Sequence, residues 1–433
     1  MKVRVIGGGL AGSEAAYQLL KQGFEVELFE MRPVKMTGAH RTEHLGELVC
    51  SNSLKSNLLD SSSGLLKAEM RMLDCMLLRA AEKAAVPAGG ALAVDRTLFS
   101  REIEAELAAF GDRLQIVREE VQEIDFSVPT IVATGPLTSD ALANSLGKIC
   151  GSYMSFCDAV APIVAADSID YSKAFFAARY DKGTDDYLNC GMNKEEYLAF
   201  YDALVTADSV EDKLVDATFY ENCMPIEVMA KRGVDAMRYG PLRPVGIHGP
   251  EGQKYYAVLQ LRKEETAGET YNLVGFQTNL KFGEQKRVFG MIPGLENAEF
   301  MRYGVMHRNT YINAPKLLDC TFMLKEYPNV YIAGQLSGVE GYMESTMSGL
   351  MAARMMARRL KGLEPVMPDE YTMIGALARY ISNTSVEQLQ PMNSNFGLLP
   401  EISGIRDKKA RKAAYAERAL AHMQAYLDEL GGN

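Results

Sequence analysis

Tryptophan is absent from this 433-residue chain, histidine occurs five times and cysteine seven times. The cysteines are odd in number and form no Cys-x-x-Cys pair, which favours reduced thiols in a cytoplasmic protein over a disulfide framework. With so few histidines and no paired cysteines, we expect no structural zinc or other metal site. Neither disulfides nor a metal is therefore expected to hold this fold together.

Long apolar runs are also missing. The most apolar stretch, residues 149–166, is interrupted by Asp158 and is typical of a protein core. No run reaches the ~18 apolar residues that a membrane-spanning helix needs. The N-terminus enters a predicted strand at once, which leaves no room for a signal peptide. We therefore expect a cytoplasmic protein without a membrane partner.

Positive charge is in the minority, and the formal net charge is −10. This balance argues against a protein that coats nucleic acid through a generally basic surface, although it is compatible with one local basic patch. Hydrophobic residues make up 47% and charged residues 24% of the chain, as in ordinary globular proteins. The length suits about two or three domains.

The clearest motif lies at the N-terminus. The run Val3 to Ile6 predicts a buried strand, and the glycine pattern that follows opens a predicted helix, as a dinucleotide-binding fingerprint requires. Gly7 allows the tight turn, Gly9 lets a pyrophosphate approach, and Gly12 lets the helix pack closely on the strand. Glu30 ends the next predicted strand, where an acid can accept hydrogen bonds from ribose hydroxyls. The sequence predicts that FAD or NAD binds at Gly7, Gly8, Gly9, Leu10, Ala11, Gly12 and Glu30.

A second cofactor-contacting element is predicted late in the chain. A strand at residues 330–333 is followed by a turn with Gly334 and Gln335, and then by a helix that starts at Gly341 and Tyr342. This order resembles the second FAD-contacting element of glutathione-reductase-like flavoproteins, most of which have Gly-Asp at the turn. No second Gly-x-Gly-x-x-Gly occurs, so we expect no separate nicotinamide domain, and NAD(P)H would dock directly on the flavin.

These two elements predict an α/β fold with a glutathione-reductase-like, Rossmann-type FAD-binding domain and an inserted α+β domain. The FAD-binding domain comprises residues 1–150 and 315–433, and the inserted substrate or RNA-side domain comprises residues 151–314. Within the first part, the hydrophobic pattern predicts one helix over residues 64–85 and a strand over residues 121–124.

A basic cluster lies near the C-terminus, on a predicted terminal helix that follows the irregular segment 391–400. A solvated helix face is the simpler interpretation of such a cluster. In an acidic chain, and beside a loop that carries Asn and Phe, the cluster also suits contact with RNA phosphates. The predicted RNA-binding residues are Lys408, Lys409, Arg411 and Lys412.

Two cysteines stand apart from the core-like ones. Cys50 lies in the irregular segment 31–57, and long irregular segments in compact proteins are often functional. Cys223 lies just before Pro225, a residue that favours a helix start, and a thiolate is stabilised near such a start. On pattern alone, however, a buried structural cysteine is the more common case.

Several stretches resemble the folate- and FAD-dependent uracil-5-methyltransferases of RNA, the TrmFO family. The Gly334-Gln335 turn is shared with this family and with its larger relatives that modify tRNA wobble uridines. The similar stretches are spread over the whole chain: IGGGLAGSEAA, FEMRP, ELVCSNSLKS, FYENCMPIEVMA, GPLRPVG, MHRNTYIN, AGQLSGVEGYMES, NFGLLP and the basic tail.

The resemblance implies that 5,10-methylenetetrahydrofolate donates a one-carbon unit and that NAD(P)H reduces the FAD, to form 5-methyluridine in the tRNA T-loop. By motif match, Cys223 is the thiolate that adds to carbon 6 of uracil, and Cys50 is its partner near the flavin. Tyr342 is expected to stack on flavin or folate. The alternatives are the same chemistry on ribosomal RNA, an FAD-dependent oxidoreductase of a small amine or thiol, and a non-catalytic flavin-dependent RNA-binding protein.

Overall fold

The structure is a computed structural model that describes residues 1–150, 154–159, 161–181, 184–210, 224–264, 268–386 and 389–431. The described residues form sixteen strands: β1 Lys2–Ile6, β2 Glu25–Phe29, β3 Ser53–Ser56, β4 Ala85–Val86, β5 Ala91–Val94, β6 Leu114–Val117, β7 Thr130–Val132, β8 Met154–Ala159, β9 Ile163–Ala165, β10 Ala174–Phe176, β11 Leu188–Met192, β12 Ala257–Lys263, β13 Thr270–Leu273, β14 Phe300–Arg302, β15 Met306–Tyr311 and β16 Val330–Ile332.

The same described ranges contain twelve α-helices: α1 Leu10–Lys21, α2 Ser62–Met72, α3 Met76–Lys83, α4 Arg96–Ala108, α5 Asp140–Cys150, α6 Lys194–Val205, α7 Ile226–Ala230, α8 Phe282–Phe289, α9 Ala314–Leu317, α10 Tyr342–Leu360, α11 Met373–Ile381 and α12 Lys408–Gly431. Across this part of the chain, none of the helices combines the length and the apolar composition that crossing a bilayer would require.

Five parallel strands form the main sheet, in the order β16-β7-β1-β2-β6. The inner strands are apolar because helices cover the sheet; Val3, Val5 and Ile131 are fully buried. The carboxyl ends of β1, β7 and β16 meet at one edge, where open α/β sheets bind their ligands. The predicted α/β fold with a Rossmann-type parallel sheet is confirmed.

Helices α1 and α10 follow strands of this sheet; Gly349 allows α10 to pack closely on α1, and Gly12 allows α1 to pack closely on the turn after β1. A Cβ atom on Gly349 would overlap the carbonyl oxygen of Ala11, and one on Gly12 would overlap the carbonyl oxygen of Gly7. Both clashes involve backbone, which cannot move aside as a side chain can. The close approach brings the first turns of the two helices to the same edge of the sheet.

A second sheet of six strands has the order β10-β11-β12-β13-β9-β14, with antiparallel pairing. One face packs on helices α6 and α8 and has its own core, which includes Leu259, Phe276 and Phe289. Outside this core, the polar pair Arg262 and Asn272 lies in register between β12 and β13, and a small apolar cluster contains Phe175 and Val258. The boundaries expected for an inserted domain, at 151 and 314, stay a prediction.

The single helix expected over residues 64–85 is wrong. Helix α2 ends at Met72 and α3 begins at Met76, and Asp74 between them has a φ of 56°. The buried carboxylate of Glu14, on α1, accepts hydrogen bonds from the backbone N–H groups of Met76 and Leu77 at 3.3 and 2.9 Å. A distant side chain therefore supplies the acceptors for a new helix start, which a local hydrophobic pattern does not reveal.

The strand expected over residues 121–124 is also wrong, since these described residues form an irregular connection. Strand β6 is already the edge of the main sheet, and no further strand pairs with it among the described residues. Ile124 is instead buried as part of a loop. An apolar run without a hydrogen-bonding neighbour does not become a strand.

Candidate active site

A cleft opens at the carboxyl edge of the main sheet, with an empty volume of about 1030 Å³ that includes its open mouth. Its walls come from the turns after β1, β7 and β16, from the end of β2, and from the first turns of α1 and α10. We term it the main cleft. Its position is the one that the glycine motifs predict for a dinucleotide.

The turn after β1 is built almost entirely from backbone. Gly7 has a φ of 103°, and its N–H donates to the carbonyl of Phe29 at 2.8 Å. Gly9 faces the main cleft, and a Cβ atom there would meet no other atom of the described residues within 4 Å. Leu10 and Ala11, at the start of α1, also line the main cleft, so helix amides without intrahelical partners face a phosphate-sized space.

Gly8 and Gly12 have a different role from Gly9, because they lie behind the wall of the main cleft. A Cβ atom on Gly8 would press on Leu45 and on the carboxylate of Glu30. The six residues expected to bind the dinucleotide at this turn thus divide into four that face the main cleft and two that allow close packing behind it.

Glu30 lies at the end of β2 and lines the main cleft. Its carboxylate accepts four N–H groups: the amide of Gly8 at 2.9 Å, the amide of Arg32 at 3.0 Å, and two guanidinium N–H groups of Arg32 at 2.9 and 3.1 Å. Burial by itself raises the pKa of Glu30, but the bonds to Arg32 outweigh it and hold that pKa below its ordinary value. The carboxylate therefore fixes the glycine turn, and its contact with a ribose stays a prediction.

Arg32 is a residue that the motif analysis did not identify. Its side chain is buried, lines the main cleft, and also donates to Glu47 at 2.8 Å. The available signal was its place in FEMRP, two positions after the acid that ends β2. A buried cation that joins two acids gives this wall of the main cleft a fixed shape.

The second predicted turn also reaches the main cleft. Gly334 has a φ of 73°, and its N–H donates to the hydroxyl of Ser348 at 2.7 Å. The side-chain amide of Gln335 donates to the carboxylate of Glu340 at 2.6 Å. This side chain therefore has a partner within the protein, at a position where most related flavoproteins have an acid. Gly341 precedes α10 with a φ of 118°, and this end of α10 lines the main cleft through Tyr342 and Ser345 rather than through Gly341.

Tyr342 joins the main cleft to the cysteine-bearing segment. Its ring lines the main cleft, while its hydroxyl oxygen accepts the backbone N–H of Cys50 at 2.7 Å and that of Ser51 at 3.2 Å. Burial raises the pKa of the Tyr342 phenol, so it stays protonated at neutral pH. The first residue of α10 thus holds Cys50 by its backbone; the predicted stacking on flavin or folate stays a prediction.

Three arginines from other elements hold residues 48–52, which we term the Cys50 loop. They come from α4, β12 and β14, so two of the three are carried by strands of the second sheet. Arg96 donates to the carbonyls of Leu48 and Cys50, Arg262 donates to the hydroxyl of Ser51 at 2.7 Å, and Arg302 donates to the carbonyl of Val49.

The surroundings of Cys50 are cationic. Burial lowers the pKa of Arg96, but the carboxylate of Glu264 and the neighbouring Cys50 raise it, and the net shift is upward. Burial and the charge of Arg96 lower the pKa of Arg302, and Cys50 is among the groups that oppose this shift. Two guanidinium groups beside a thiol favour its thiolate form.

Unused hydrogen-bonding capacity remains beside the Cys50 loop. Oε1 of Glu264 and Nε of Arg302 are buried, and neither has a hydrogen-bond partner within the described ranges. Unpaired buried polar atoms cost about 1–3 kcal/mol each, and native proteins tolerate few of them. Their presence here fits a site that is completed by a ligand.

Cys223, the predicted nucleophile, lies outside the described residues, so its distance to Cys50 is not part of the structure. The chain on each side of it is described. The N–H of Val210 donates to Asn279 at 2.9 Å, and that of Ile226 donates to Gln277 at 2.7 Å. Pro225 immediately precedes the short helix α7, so a helix starts where the sequence predicts one.

The predicted RNA-binding residues lie together in the first turns of α12, where Lys408 and Lys409 are exposed. Cations at a helix N-terminus face the positive end of the helix dipole and are unfavourable by a few tenths of a kcal/mol or more. Lys412 also lies 6.0 Å from the ring centroid of Phe396, in the preceding segment. A basic cluster kept at the unfavourable helix end suits an anionic partner.

Comparison with known proteins gives consistent results. Residues 2–364 match the family described as Glucose inhibited division protein A. The chain is 53% identical over 431 residues to methylenetetrahydrofolate–tRNA-(uracil-5-)-methyltransferase TrmFO of Acetivibrio thermocellus, and 54% identical over 432 residues to the protein of the same description from Listeria monocytogenes; each alignment covers 99% of both chains.

Among solved structures, the chain is similar to GidA of Aquifex aeolicus. The TM-score is 0.70 at 17% identity, and the match covers 98% of this chain and 75% of that one. At this identity the likeness concerns the fold alone. It agrees with the arrangement of the parallel sheet described above.

Proposed function

The chain belongs to the methylenetetrahydrofolate–tRNA-(uracil-5-)-methyltransferase family, and we propose that it forms 5-methyluridine in the T-loop of tRNA. Its cofactor is FAD, and its one-carbon donor is 5,10-methylenetetrahydrofolate, with NAD(P)H as the reductant. Identity above 50% over nearly the full length of such enzymes favours RNA methylation over oxidation of a small amine or thiol.

One observation carries the link from family to mechanism. Tyr342 lines the main cleft and at the same time accepts the backbone N–H groups of Cys50 and Ser51. One side chain therefore connects the wall of the main cleft to the backbone of the Cys50 loop. A small-molecule oxidoreductase needs the main cleft but not this connection.

The residues of the main cleft fit FAD. Gly9 opens onto space, residues in the first turns of α1 and α10 line that space, and Glu30 with Arg32 fixes the wall at the end of β2. Bound FAD supplies the reducing equivalents that convert the transferred methylene to a methyl group. We propose that the turn at Gly7–Gly12 holds the pyrophosphate, and that Gly334, Gln335, Gly341 and Tyr342 lie along the ribityl chain and the flavin.

The two thiols divide the chemistry on the uracil ring. The Cys223 thiolate adds to carbon 6, and the electron pair of the 5,6 double bond moves to the carbonyl oxygen as an enolate, which makes carbon 5 nucleophilic. After carbon 5 has bonded to the one-carbon unit, a base removes its proton, and the thiolate leaves carbon 6 as the double bond reforms. Cys50 is proposed as that base, since the neighbouring Arg96 and Arg302 favour a thiolate.

The RNA is proposed to bind through the start of α12, where the basic tail lies. The segment before α12 docks on α10, because the N–H and hydroxyl of Ser394 both donate to the buried Glu344 at 3.0 and 2.7 Å. We further propose that residues 151–314 form an inserted domain, since the second sheet has a separate core. We also propose a cytoplasmic location, since the proposed substrate is tRNA.

The deciding experiment is mass spectrometry of tRNA and rRNA from a strain that lacks the gene. We expect 5-methyluridine to disappear from the T-loop of tRNA and to return with the wild-type gene, but not with a Cys223→Ala gene. If tRNA keeps the modification and rRNA loses it, ribosomal RNA is the substrate. If neither RNA changes, the proposed function is wrong.

A further inference from the structure

Three aromatic rings form a parallel stack at the edge of the second sheet. Phe300 and Tyr303 have ring centroids 5.1 Å apart with an interplanar angle of 2°, and Tyr303 and Phe282 have centroids 4.6 Å apart at 14°. We term these three residues the aromatic stack. Phe282 ends the stack on the outside and is 53% exposed. Another planar group can stack on such a large exposed ring at the end of an ordered stack.

The aromatic stack is rigid because buried residues hold it. The ring of Phe300 lies 6.5 Å from that of Phe289, which belongs to the core of the second sheet. Gln285, fully buried on α8, donates to the carbonyl of Gly304 and accepts from its N–H, both at 2.8 Å. The residue after Tyr303 is therefore tied to the helix that carries Phe282, and little entropy remains to be lost when a ligand stacks.

A cation accompanies the exposed ring. Lys286 is exposed and lies four residues after Phe282 on α8, so the two side chains share one face of the helix. An aromatic platform beside a cation is the arrangement with which proteins bind single-stranded nucleic acid, because every base has a π-face and each nucleotide has a phosphate. An apolar protein partner would need no cation at this point.

The aromatic stack is also linked along the chain to the Cys50 loop. Arg302 immediately precedes Tyr303 and donates to the carbonyl of Val49 in the Cys50 loop. Strand β14, which carries Phe300 and Arg302, is an edge strand of its sheet among the described residues. Residues 300–303 therefore connect the aromatic stack to the Cys50 loop, which contacts the side chain of Arg302.

We propose that the aromatic stack binds an unpaired nucleobase of the substrate RNA that neighbours the target uridine, and that Lys286 contacts the adjoining phosphate. This inference rests on the proposed function, since it assigns an RNA-binding role to residues near that site. The aromatic stack positions the RNA and takes no part in bond making, so its loss affects binding rather than the chemical step.

The test compares four variants of the full-length, flavin-loaded protein with tRNA as the probe. Phe282→Ala is expected to raise KM for tRNA about tenfold, the usual cost of losing one base stack, with kcat nearly unchanged. Phe282→Trp should restore KM, whereas Phe282→Leu, which keeps apolar area without a ring, should not. The control is Tyr239→Ala, since Tyr239 is 84% exposed, more than any other aromatic residue in the described ranges, and lies outside the aromatic stack.

Two further readouts separate the possible failures. NAD(P)H oxidation without RNA and the melting temperature should be unchanged in Phe282→Leu, which excludes misfolding as the cause. If the wild type methylates tRNA and Phe282→Ala has the wild-type KM, the inference is wrong while the proposed function stands. If the wild type does not methylate tRNA, the proposed function is wrong. A changed oligomeric state with unchanged tRNA binding would assign Phe282 to a protein contact instead.

Discussion

The glycine turn after β1 and the Cys50 loop are both irregular segments at the same cleft, but they are held in opposite ways. The glycine turn is positioned by its own backbone and by residues close to it in sequence, such as Glu30. The Cys50 loop is positioned by side chains that lie 46 to 292 residues away along the chain. A backbone-built site can be read from its own motif, whereas a site built from distant side chains cannot.

The largest expected effect comes from the thiols. Cys223→Ala should abolish methyl transfer and leave FAD bound and reducible, because only the nucleophile at carbon 6 is lost. RNA with 5-fluorouridine at the target position should trap the wild type covalently, since fluorine blocks proton loss at carbon 5. The trap should vanish in Cys223→Ala and persist in Cys50→Ala. A trap that depends on Cys50 alone would reverse the two roles.

The next largest effects are expected from substitutions at Gly9 and Gly12 of the glycine turn, one of which should affect flavin binding and the other stability. Gly9→Val has room for its side chain and should fold, but the side chain occupies the pyrophosphate site, so the purified protein should be colourless. Gly12→Ala places a Cβ atom on the backbone of Gly7, so it should lower the melting temperature. Absorbance at flavin wavelengths and thermal unfolding distinguish the two. A yellow Gly9→Val protein would contradict the assignment of the main cleft.

Glu30→Gln tests the charge that holds the glycine turn. The folded-state pKa lies below the ordinary value of 4.5, so the ion pair stabilises the fold fully above that value, and this contribution is lost as pH falls through the folded-state pKa. We expect the variant to be less stable by about 1–3 kcal/mol at pH 7 and to approach the wild type below pH 4.5. Denaturant unfolding across pH measures this difference.

The control for that measurement is Glu27→Gln, on the same strand, whose ion pair with Lys2 is near the surface. Ion pairs at the surface contribute at most about 1 kcal/mol to the free energy of unfolding. Equal losses of stability in the two variants would show that the hydrogen bonds of Glu30 to Arg32 and Gly8 stabilise the fold no more than a surface ion pair does.

Tyr342→Phe addresses the Cys50 loop directly. Removing the hydroxyl leaves the N–H groups of Cys50 and Ser51 without their acceptor, at a cost of about 1 kcal/mol. We expect about fivefold slower methylation with normal flavin content. Tyr380→Phe is the matched control, because its hydroxyl donates to Gln390 near the surface. A loss of flavin in Tyr342→Phe would instead support the stacking role expected from the sequence.

The smallest effect on the chemical step is expected from the basic tail. Replacing Lys408, Lys409, Arg411 and Lys412 together by Ala should weaken tRNA binding and flatten its dependence on salt, because each phosphate contact releases counterions. NAD(P)H oxidation without RNA should be unchanged. If affinity and salt slope both stay the same, the cluster is a solvated helix face.

The sequence by itself determined the parallel sheet, the two cofactor turns and helix α10. Each of these depends on local properties: β-branched runs, glycine at positions with positive φ such as Gly7 and Gly334, and apolar residues at helical spacing. The motif match also marked Cys50 and Tyr342 as site residues, but gave no contact between them. Local pattern is sufficient where the backbone itself makes the structure.

Only the tertiary structure decided how distant parts of the chain complete each other. Helix α2 ends at Met72 because the carboxylate of Glu14 supplies the acceptors for the start of α3. Residues 121–124 form no strand because none of the described strands pairs with them. The tertiary structure also surrounded Cys50 with Arg96 and Arg302. Hydrogen bonds and charges act between atoms that are close in space, and the sequence order does not record which distant residues those are.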